Sequence, residues 1–273
     1  MKKKKIILFT GREDRHLFLH NFLLKNKINI LKTFSENSKK DIKKRIGKQL
    51  FKSYILKKHF ELRKNSEKKF FSNFNKKFNF SKIQFIKKGQ INDKKIVKKI
   101  KNLNPDIIIC FGCSIIKKEI IELFKNRIIN LHLGLSPYYR GSGTNVWTLV
   151  NNEPQLFGAT FMILNEGIDT GKIIHQIRAK ILSNDSPHKI GNRLIIDAAA
   201  ALIKILIYFD IEKKYKNKKL QVKRERYYVT KDFTKDICQK LYSNFKKGLI
   251  KKFLKNKIKL EKKFPIIESK QFL

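Results

Sequence analysis

Residues 106–132 read DIIICFGCSIIKKEIIELFKNRIINLH, and this stretch decides the fold class that the sequence predicts. The unbroken apolar run after Asp106 ends at Gly112, which is typical of a strand buried on both faces of a parallel sheet. Residues 115–124 have apolar side chains at helical spacing, and residues 128–131 form a second apolar run. The stretch therefore predicts a strand, a helix and a second strand that delivers Asn130 and His132 at its end.

The sequence before this stretch follows the same alternation. Strands are predicted at residues 6–9, 28–31 and 83–86, and helices at residues 13–26 and 91–103. Strands that alternate with helices predict an α/β fold with a Rossmann-like, doubly wound, mainly parallel sheet. Such sheets bind ligands at the carboxyl ends of their strands, where the turn at 112–114, Asn130 and His132 are expected to lie.

The charge of the chain permits two interpretations. The net charge is +42, from 64 Lys and Arg against 22 Asp and Glu, and a nucleic-acid partner would account for it. However, the chain is rich in Lys, Ile, Asn and Phe at the same time, and the lysines are scattered along it. Genome-wide use of A/T-rich codons would produce this composition. For the chain as a whole we favour codon drift. The Lys-rich residues 38–79 predict one or two amphipathic helices whose solvated faces carry the lysines, and a role at a nucleic acid or a membrane surface is the alternative there. A nucleic-acid partner stays open but is not favoured.

Cysteine content and apolar runs indicate the compartment. Three cysteines do not suggest a disulfide framework. No apolar run approaches the length of a membrane span, and the basic start is followed by only four apolar residues. We therefore expect a cytoplasmic protein. His16 and His20 are interpreted as surface or site-rim residues, and the lone Cys110–Cys113 pair does not predict a metal or redox site.

Three polar residues could perform chemistry on a carbonyl group. Asn130 and His132 are two positions apart on one predicted strand, so their side chains point to the same face. Asp169 lies in the Gly-bracketed sequence EGIDTG. An amide and an imidazole can stabilise an oxyanion while a carboxylate orients the imidazole and accepts protons. The alternative from the residues alone is that Asn130 caps a turn and His132 is an ordinary buried histidine.

The spacing of several motifs resembles a known enzyme family. The motifs are Asn130-Leu-His132, then Pro137-Tyr-Tyr-Arg140-Gly141, and then Gly167-Ile-Asp169-Thr-Gly171. Together they resemble the formyltransferases that use 10-formyltetrahydrofolate, a family that acts on methionyl-tRNA, glycinamide ribonucleotide or amino sugar nucleotides. The resemblance covers residues 1–208 and is specific over about residues 106–180. It implies the formyltransferase fold and a one-carbon transfer reaction.

The resemblance also implies roles for individual residues. Asn130 and His132 would hold the formyl carbonyl, and Asp169 would help to deprotonate the attacking amine. The folate would lie against two segments, formed by Phe111, Gly112, Cys113, Ser114 and Ile115 and by Asn165, Glu166 and Gly167. The acceptor would be framed by Tyr138, Arg140 and Gly141. No metal is implied. Asn165 departs from the acidic residue common in the family, which affects the folate contacts and not the chemistry.

The acceptor is the least determined part of the prediction. Residues 1–208 are expected to form the catalytic domain, and residues 209–273 a short basic extension with a hairpin at 220–229 and one helix at 237–253. The first turn lacks the Gly-Ser-Asn phosphate loop of the glycinamide ribonucleotide enzymes, and the extension is shorter than the β-barrel of methionyl-tRNA enzymes. We therefore expect a small amine acceptor such as an amino sugar nucleotide. The alternatives are methionyl-tRNA, glycinamide ribonucleotide, or nucleic-acid binding on a formyltransferase scaffold. The oligomeric state is not predicted.

Overall fold

A seven-stranded sheet forms the centre of the protein. The computed structural model describes residues 3–37, 53–75, 80–210, 220 and 222–272. In spatial order the strands are β3 (Ile83–Lys87), β2 (Ile30–Asn37), β1 (Ile6–Thr10), β4 (Ile107–Phe111), β5 (Ile128–His132), β7 (Gly158–Ile163) and β8 (Lys172–Arg178). The first five are parallel, and β7 and β8 are antiparallel to their neighbours. The predicted mainly parallel α/β fold is confirmed.

Helices cover both faces of the sheet. They are α1 (Asp14–Lys25), α2 (Tyr54–Asn75), α3 (Lys94–Leu103), α4 (Lys118–Leu123), α5 (Thr144–Val150), α6 (Pro187–Tyr208), α7 (Lys235–Lys246) and α8 (Leu249–Lys263). In β1, Ile6 and Leu8 belong to one apolar cluster, while Ile7 and Phe9 belong to the cluster on the other face. This two-sided burial explains why the central strands read as continuous apolar runs.

Strand β2 is longer than its apolar run predicted. It continues to Asn37 through polar residues that are buried and hydrogen-bonded. The Ser35 hydroxyl donates to the Gly11 carbonyl at 2.8 Å, and the Thr33 hydroxyl lies 2.9 Å from His20 Nδ1. Because these partners come from other elements, the polar residues do not end the strand. Of the helices predicted within 38–79, α2 confirms one, and residues 38–52 and 76–79 lie outside the described part of the chain.

The C-terminal extension differs from the predicted hairpin and single helix. Within the described part of 220–229 the strand is β9 (Arg226–Tyr228), which pairs in parallel with β6 (Tyr139–Gly141) and not with its own neighbours. The predicted helix is divided into α7 and α8 at Gly248, whose φ of 79° is left-handed. Residues after α8 run along β8, where Gln176 and Ile267 exchange hydrogen bonds of 2.7 and 2.9 Å. The extension is therefore packed onto the sheet.

Candidate functional site

The polar end of β5 lies beside β4 at the carboxyl edge of the sheet. The two strands are parallel, with Cys110 opposite Asn130. His132 is the last residue of β5 and is 7% exposed, while Asn130 is half-buried. The chain turns sharply after the strand, since a Cβ at Gly134 would lie only 2.4 Å from His132 Nε2. Because Gly134 has no side chain, there is room for the His132 imidazole.

The Asp169 carboxylate is the point at which the predicted catalytic residues meet. Asn130 Nδ2 donates to Asp169 Oδ1 at 3.1 Å, and His132 Nδ1 lies 3.3 Å from Asp169 Oδ2. The backbone N–H of Gly141 donates to Oδ2 at 2.9 Å. Asp169 itself has a left-handed φ of 52°, which presents its side chain inward from an exposed loop. The structure thus brings together three residues that are up to 39 positions apart in sequence.

His132 lies between two hydrogen-bond acceptors. Its Nδ1 faces Asp169, and its Nε2 is 3.2 Å from the backbone carbonyl of Tyr139. A neutral imidazole can donate to one of these oxygens, and a protonated imidazole can donate to both. The two oxygens therefore hold the ring in a fixed orientation. This suits a group that must contact a developing oxyanion.

The first predicted folate segment is the turn after β4. Phe111 is buried, Cys113 and Ser114 are half-buried, and Gly112 and Ile115 are exposed. Gly112 has a φ of 66° and approaches His16 so closely that a Cβ would lie 2.4 Å from His16 Nε2. The backbone here could not carry most other residues.

The second predicted folate segment lies beside the first. Asn165, Glu166 and Gly167 are exposed in the loop before Asp169. The Thr170 hydroxyl donates to Asn165 Oδ1 at 3.0 Å. Glu166 forms an ion pair of 3.4 Å with Lys118, the first residue of α4. Since α4 follows the Gly112 turn, this ion pair joins the two segments at one edge of the sheet.

The residues predicted to frame the acceptor divide into two groups. Arg140 lies at the site, where it pairs with Glu225 at 2.9 Å and its NH1 is 3.5 Å from the Ile168 carbonyl. Gly141 contributes the backbone N–H that holds Asp169. Tyr138 is buried and donates its hydroxyl to the Pro265 carbonyl at 2.9 Å, and burial raises its pKa. Tyr138 therefore anchors the C-terminal segment, and its contact with the acceptor stays a prediction.

Both histidines of α1 are buried, contrary to the expectation that they lie at the surface or rim. His16 packs between Gly11 and Gly112, and its Nδ1 lies 2.7 Å from Glu13 Oε2. Burial is the main cause that lowers the pKa of His16. His20 pairs with Thr33 as described above. Each ring is accounted for by packing and local hydrogen bonds, and within the described ranges no cluster of His, Cys, Asp and Glu could hold a metal.

Cys110 and Cys113 also lie beside the site. Cys110 is buried in β4, and Cys113 is half-buried in the following turn. The hydrogen bond from Cys113 and burial raise the pKa of the Cys110 thiol well above its usual value. A protonated buried thiol is a poor nucleophile and a poor metal ligand.

Glu36 is a residue that sequence reasoning missed. It is buried at the end of β2 and accepts backbone N–H groups from Gly89 at 2.8 Å and Ser114 at 2.7 Å. It therefore holds the Gly112–Ser114 turn, which follows β4, from β2, two positions away in the sheet. An acidic residue in the sequence FSEN was the available signal, but it was read as lying beyond the end of the strand.

No helix among the described residues is both long enough and apolar enough to cross a lipid bilayer.

Comparison with known proteins gives consistent matches. The family model described as "Formyl transferase" matches residues 4–206. The methionyl-tRNA formyltransferase of Thermodesulfovibrio yellowstonii is 37% identical over 119 residues, which are 43% of this chain and 38% of that protein. The chain thus matches well under half of the length of this curated relative.

Two solved structures share the fold. A sugar N-formyltransferase from a Shewanella species has a TM-score of 0.54 at 19% identity, covering 85% of this chain and 79% of that one. The formyltransferase PseJ of Anoxybacillus kamchatkensis, solved with UDP-4,6-dideoxy-4-formamido-L-AltNAc and tetrahydrofolate, has a TM-score of 0.50 at 21% identity, covering 86% and 97%. At these identities the similarity concerns the fold alone.

Proposed function

Because the chain belongs to the formyl transferase family, we propose that Asn130, His132 and Asp169 transfer a formyl group from 10-formyltetrahydrofolate to an amine. The observation that carries this proposal is the convergence of Asn130 and His132 on the Asp169 carboxylate at the carboxyl edge of the sheet. A packing role alone does not require a carboxylate, an amide and an imidazole to meet beside an exposed loop.

The reaction would proceed by direct attack of the amine nitrogen on the formyl carbon. The carbonyl π electrons move to oxygen, and Asn130 and His132 donate hydrogen bonds to the resulting oxyanion. Asp169 accepts the proton that the amine loses, directly or through water. The bond from carbon to N10 then breaks, N10 takes up a proton, and tetrahydrofolate leaves. The formamide is the second product.

The folate would lie between the two segments that the Lys118–Glu166 ion pair joins. Gly112 is exposed at this edge of the sheet, and the exposed Ile115 offers an apolar contact. The loop at 165–167 would contribute backbone groups. Residues 1–208 form the catalytic domain in this proposal, and residues 209–273 form an extension that contacts the acceptor side.

We propose that the acceptor is a small amine, with an amino sugar nucleotide as the first candidate. The Arg140 guanidinium supports this choice, because it lies beside the Asp169 loop, with Nη1 3.5 Å from the Ile168 carbonyl, and a cation there favours a phosphorylated acceptor. Methionyl-tRNA is the second candidate, because the curated relative described above carries that name. The first turn, Gly11-Arg12-Glu13-Asp14, offers no Gly-Ser-Asn loop for glycinamide ribonucleotide.

The test is formyl transfer by the full chain across three acceptors. Tetrahydrofolate release from 10-formyltetrahydrofolate would be followed with a UDP-linked 4-amino sugar, with methionyl-tRNA and with glycinamide ribonucleotide. We expect turnover with the amino sugar nucleotide. Turnover with methionyl-tRNA alone would establish the second candidate. Salt-sensitive RNA binding without release of tetrahydrofolate from any acceptor would instead favour nucleic-acid binding on this scaffold.

A further inference from the structure

Strand β9 (Arg226–Tyr228) brings the C-terminal extension to the site. It pairs with β6 (Tyr139–Gly141), with Tyr227 opposite Arg140 and Tyr228 opposite Gly141. Gly141 is the residue whose N–H binds Asp169. The extension therefore pairs with the short strand whose Gly141 N–H binds the proposed catalytic carboxylate.

Alternate residues of β9 face in opposite directions. Arg226 pairs with Glu153 at 2.9 Å, and Tyr228 stacks on Trp147 with ring centroids 4.0 Å apart. These contacts fix the inner face of the strand. Glu225 and Tyr227 occupy the other face, as expected from the alternation of a strand.

The outer face of β9 is directed toward the Asp169 loop. Glu225 binds Arg140, which reaches the carbonyl of Ile168, the residue before Asp169. The Tyr227 ring lies against Gly141, where an added Cβ would be 3.0 Å from its Cε2. Tyr227 is nevertheless 49% exposed. A large aromatic ring is thus held by a fixed strand beside the site and remains open to a ligand.

From this placement we propose that Tyr227 stacks on the nucleobase of the acceptor and selects acceptors that carry one. The inference rests on the proposed formyl transfer. Aromatic side chains bind bases through their ring faces, whatever the base. The exposed Lys223 and Arg224 precede β9, and among the described residues no ion pair occupies them, so phosphate groups next to the base would meet positive charge.

Two sources could supply the base, namely a sugar nucleotide or the terminal adenosine of an aminoacyl-tRNA. The experiment compares the full chain with Tyr227→Ala and Tyr227→Phe, and with Tyr208→Ala as a matched control at another exposed tyrosine. Each protein is given a UDP-linked 4-amino sugar, the same amino sugar as its 1-phosphate, and methionyl-tRNA. KM and kcat are measured separately for each acceptor.

Tyr227→Ala should raise KM for the nucleobase-bearing acceptor about 5- to 150-fold, the range expected for the loss of one stacked base, with kcat within about twofold. Tyr227→Phe should restore the KM, because its ring keeps the π face. The KM of the 1-phosphate should not change, and Tyr208→Ala should behave as wild type. A rise for the base-free acceptor equal to the rise for the nucleotide would overturn the proposal, since it would indicate a general structural effect.

A binding measurement separates this proposal from the proposed function. Isothermal titration of UDP and of AMP into wild type and Tyr227→Ala requires no turnover. If no acceptor is formylated but a nucleotide binds wild type and not the variant, the result supports the stacking role of Tyr227 and contradicts the proposed formyl transfer. Equal affinity of both proteins, or no binding of either nucleotide to wild type, contradicts the stacking role even where formyl transfer is observed.

Discussion

Two buried histidine sites differ in the charge of their neighbours. His132 has the Asp169 carboxylate 3.3 Å from its Nδ1. His59, on α2 (Tyr54–Asn75), is 3% exposed and has the Tyr242 hydroxyl 2.9 Å from its Nδ1 and the His188 ring 4.8 Å away. Burial, His188 and Arg63 lower the pKa of His59 to about 3.

The two rings differ in the electrostatic environment that a proton on them would meet. A positive charge on His132 would face a carboxylate, whereas a positive charge on His59 would face a second imidazole and Arg63 in an apolar interior. The same residue type therefore lies beside a carboxylate at the edge of the sheet and beside basic groups between the helices. The following experiments perturb one site and use the other as the reference.

The largest effect is expected from Asp169→Asn. The amide oxygen can still accept a hydrogen bond, but the group cannot accept a proton or pair with a charged imidazole. Formyl transfer should fall about 10²- to 10⁴-fold, as for loss of a general base, with the unfolding midpoint nearly unchanged. Rates and denaturant curves would be compared with those of Asp197→Asn, an exposed position on α6 (Pro187–Tyr208). Equal activity of the two variants would remove Asp169 from the mechanism.

Asn130→Ala should have the next largest effect. It removes a donor aimed at the site and also the 3.1 Å hydrogen bond to Asp169. Loss of one oxyanion donor lowers kcat about 10²- to 10³-fold. The parallel variant His59→Gln should alter stability and leave kcat within about twofold. If His59→Gln lowered kcat as much as Asn130→Ala, the distinction between the two regions would fail.

Gly134→Ala tests whether the position of His132 matters. The added Cβ would lie 2.4 Å from His132 Nε2, so the ring must move. We expect a loss of about 10- to 100-fold in kcat, because small displacements of catalytic groups are costly. Gly191→Ala is the control, since it lies inside α6 and its nearest contact would be 3.9 Å. That variant should keep full activity and gain roughly 0.5–1 kcal/mol of stability.

The smallest effect concerns stability against pH in the His59 region. Burial and Arg63 lower the pKa of His188 to about 4, although Glu67 opposes the shift. Below pH 6.5 the unfolded chain binds a proton that the folded chain does not, so the free energy of unfolding falls as pH drops from 6.5 toward 4. His188→Phe should reduce this slope by up to about 1.4 kcal/mol per pH unit.

Urea unfolding at pH 7 and pH 5 measures that slope. Asn130→Ala should retain the wild-type slope, because it does not change the His59 and His188 pair. Identical slopes for wild type and His188→Phe would show that these buried rings do not limit stability in acid.

The sequence predicted those elements whose residues form a continuous local pattern of apolar side chains. The apolar runs predicted β1, β4 and β5, and their alternation with helices predicted a mainly parallel sheet. The motif spacing predicted that Asn130, His132 and Asp169 act together, and the structure places them in contact. Their catalytic roles stay predictions.

Long-range contacts account for what the sequence did not predict. Tyr138 was assigned to the acceptor because it lies in the motif that resembles the formyltransferases, and its hydroxyl donates to the Pro265 carbonyl, 127 positions away. Strand β9 pairs with β6, which lies far away in sequence, whereas an interpretation from local sequence alone predicted a hairpin. Glu36 was missed because its two partners, the Gly89 and Ser114 N–H groups, belong to other turns.

The most direct test of the central claim is isothermal titration with 5-formyltetrahydrofolate, a stable reduced folate. Ile115 is 71% exposed in the proposed folate cleft, and Ile258 is 84% exposed on α8 (Leu249–Lys263). We expect wild type, Asp169→Asn and Ile258→Asp to bind one equivalent with similar affinity. Ile115→Asp should bind about tenfold more weakly, through loss of apolar burial beside the folate. No binding to wild type, or equal weakening by Ile115→Asp and Ile258→Asp, would contradict a folate site at this edge of the sheet.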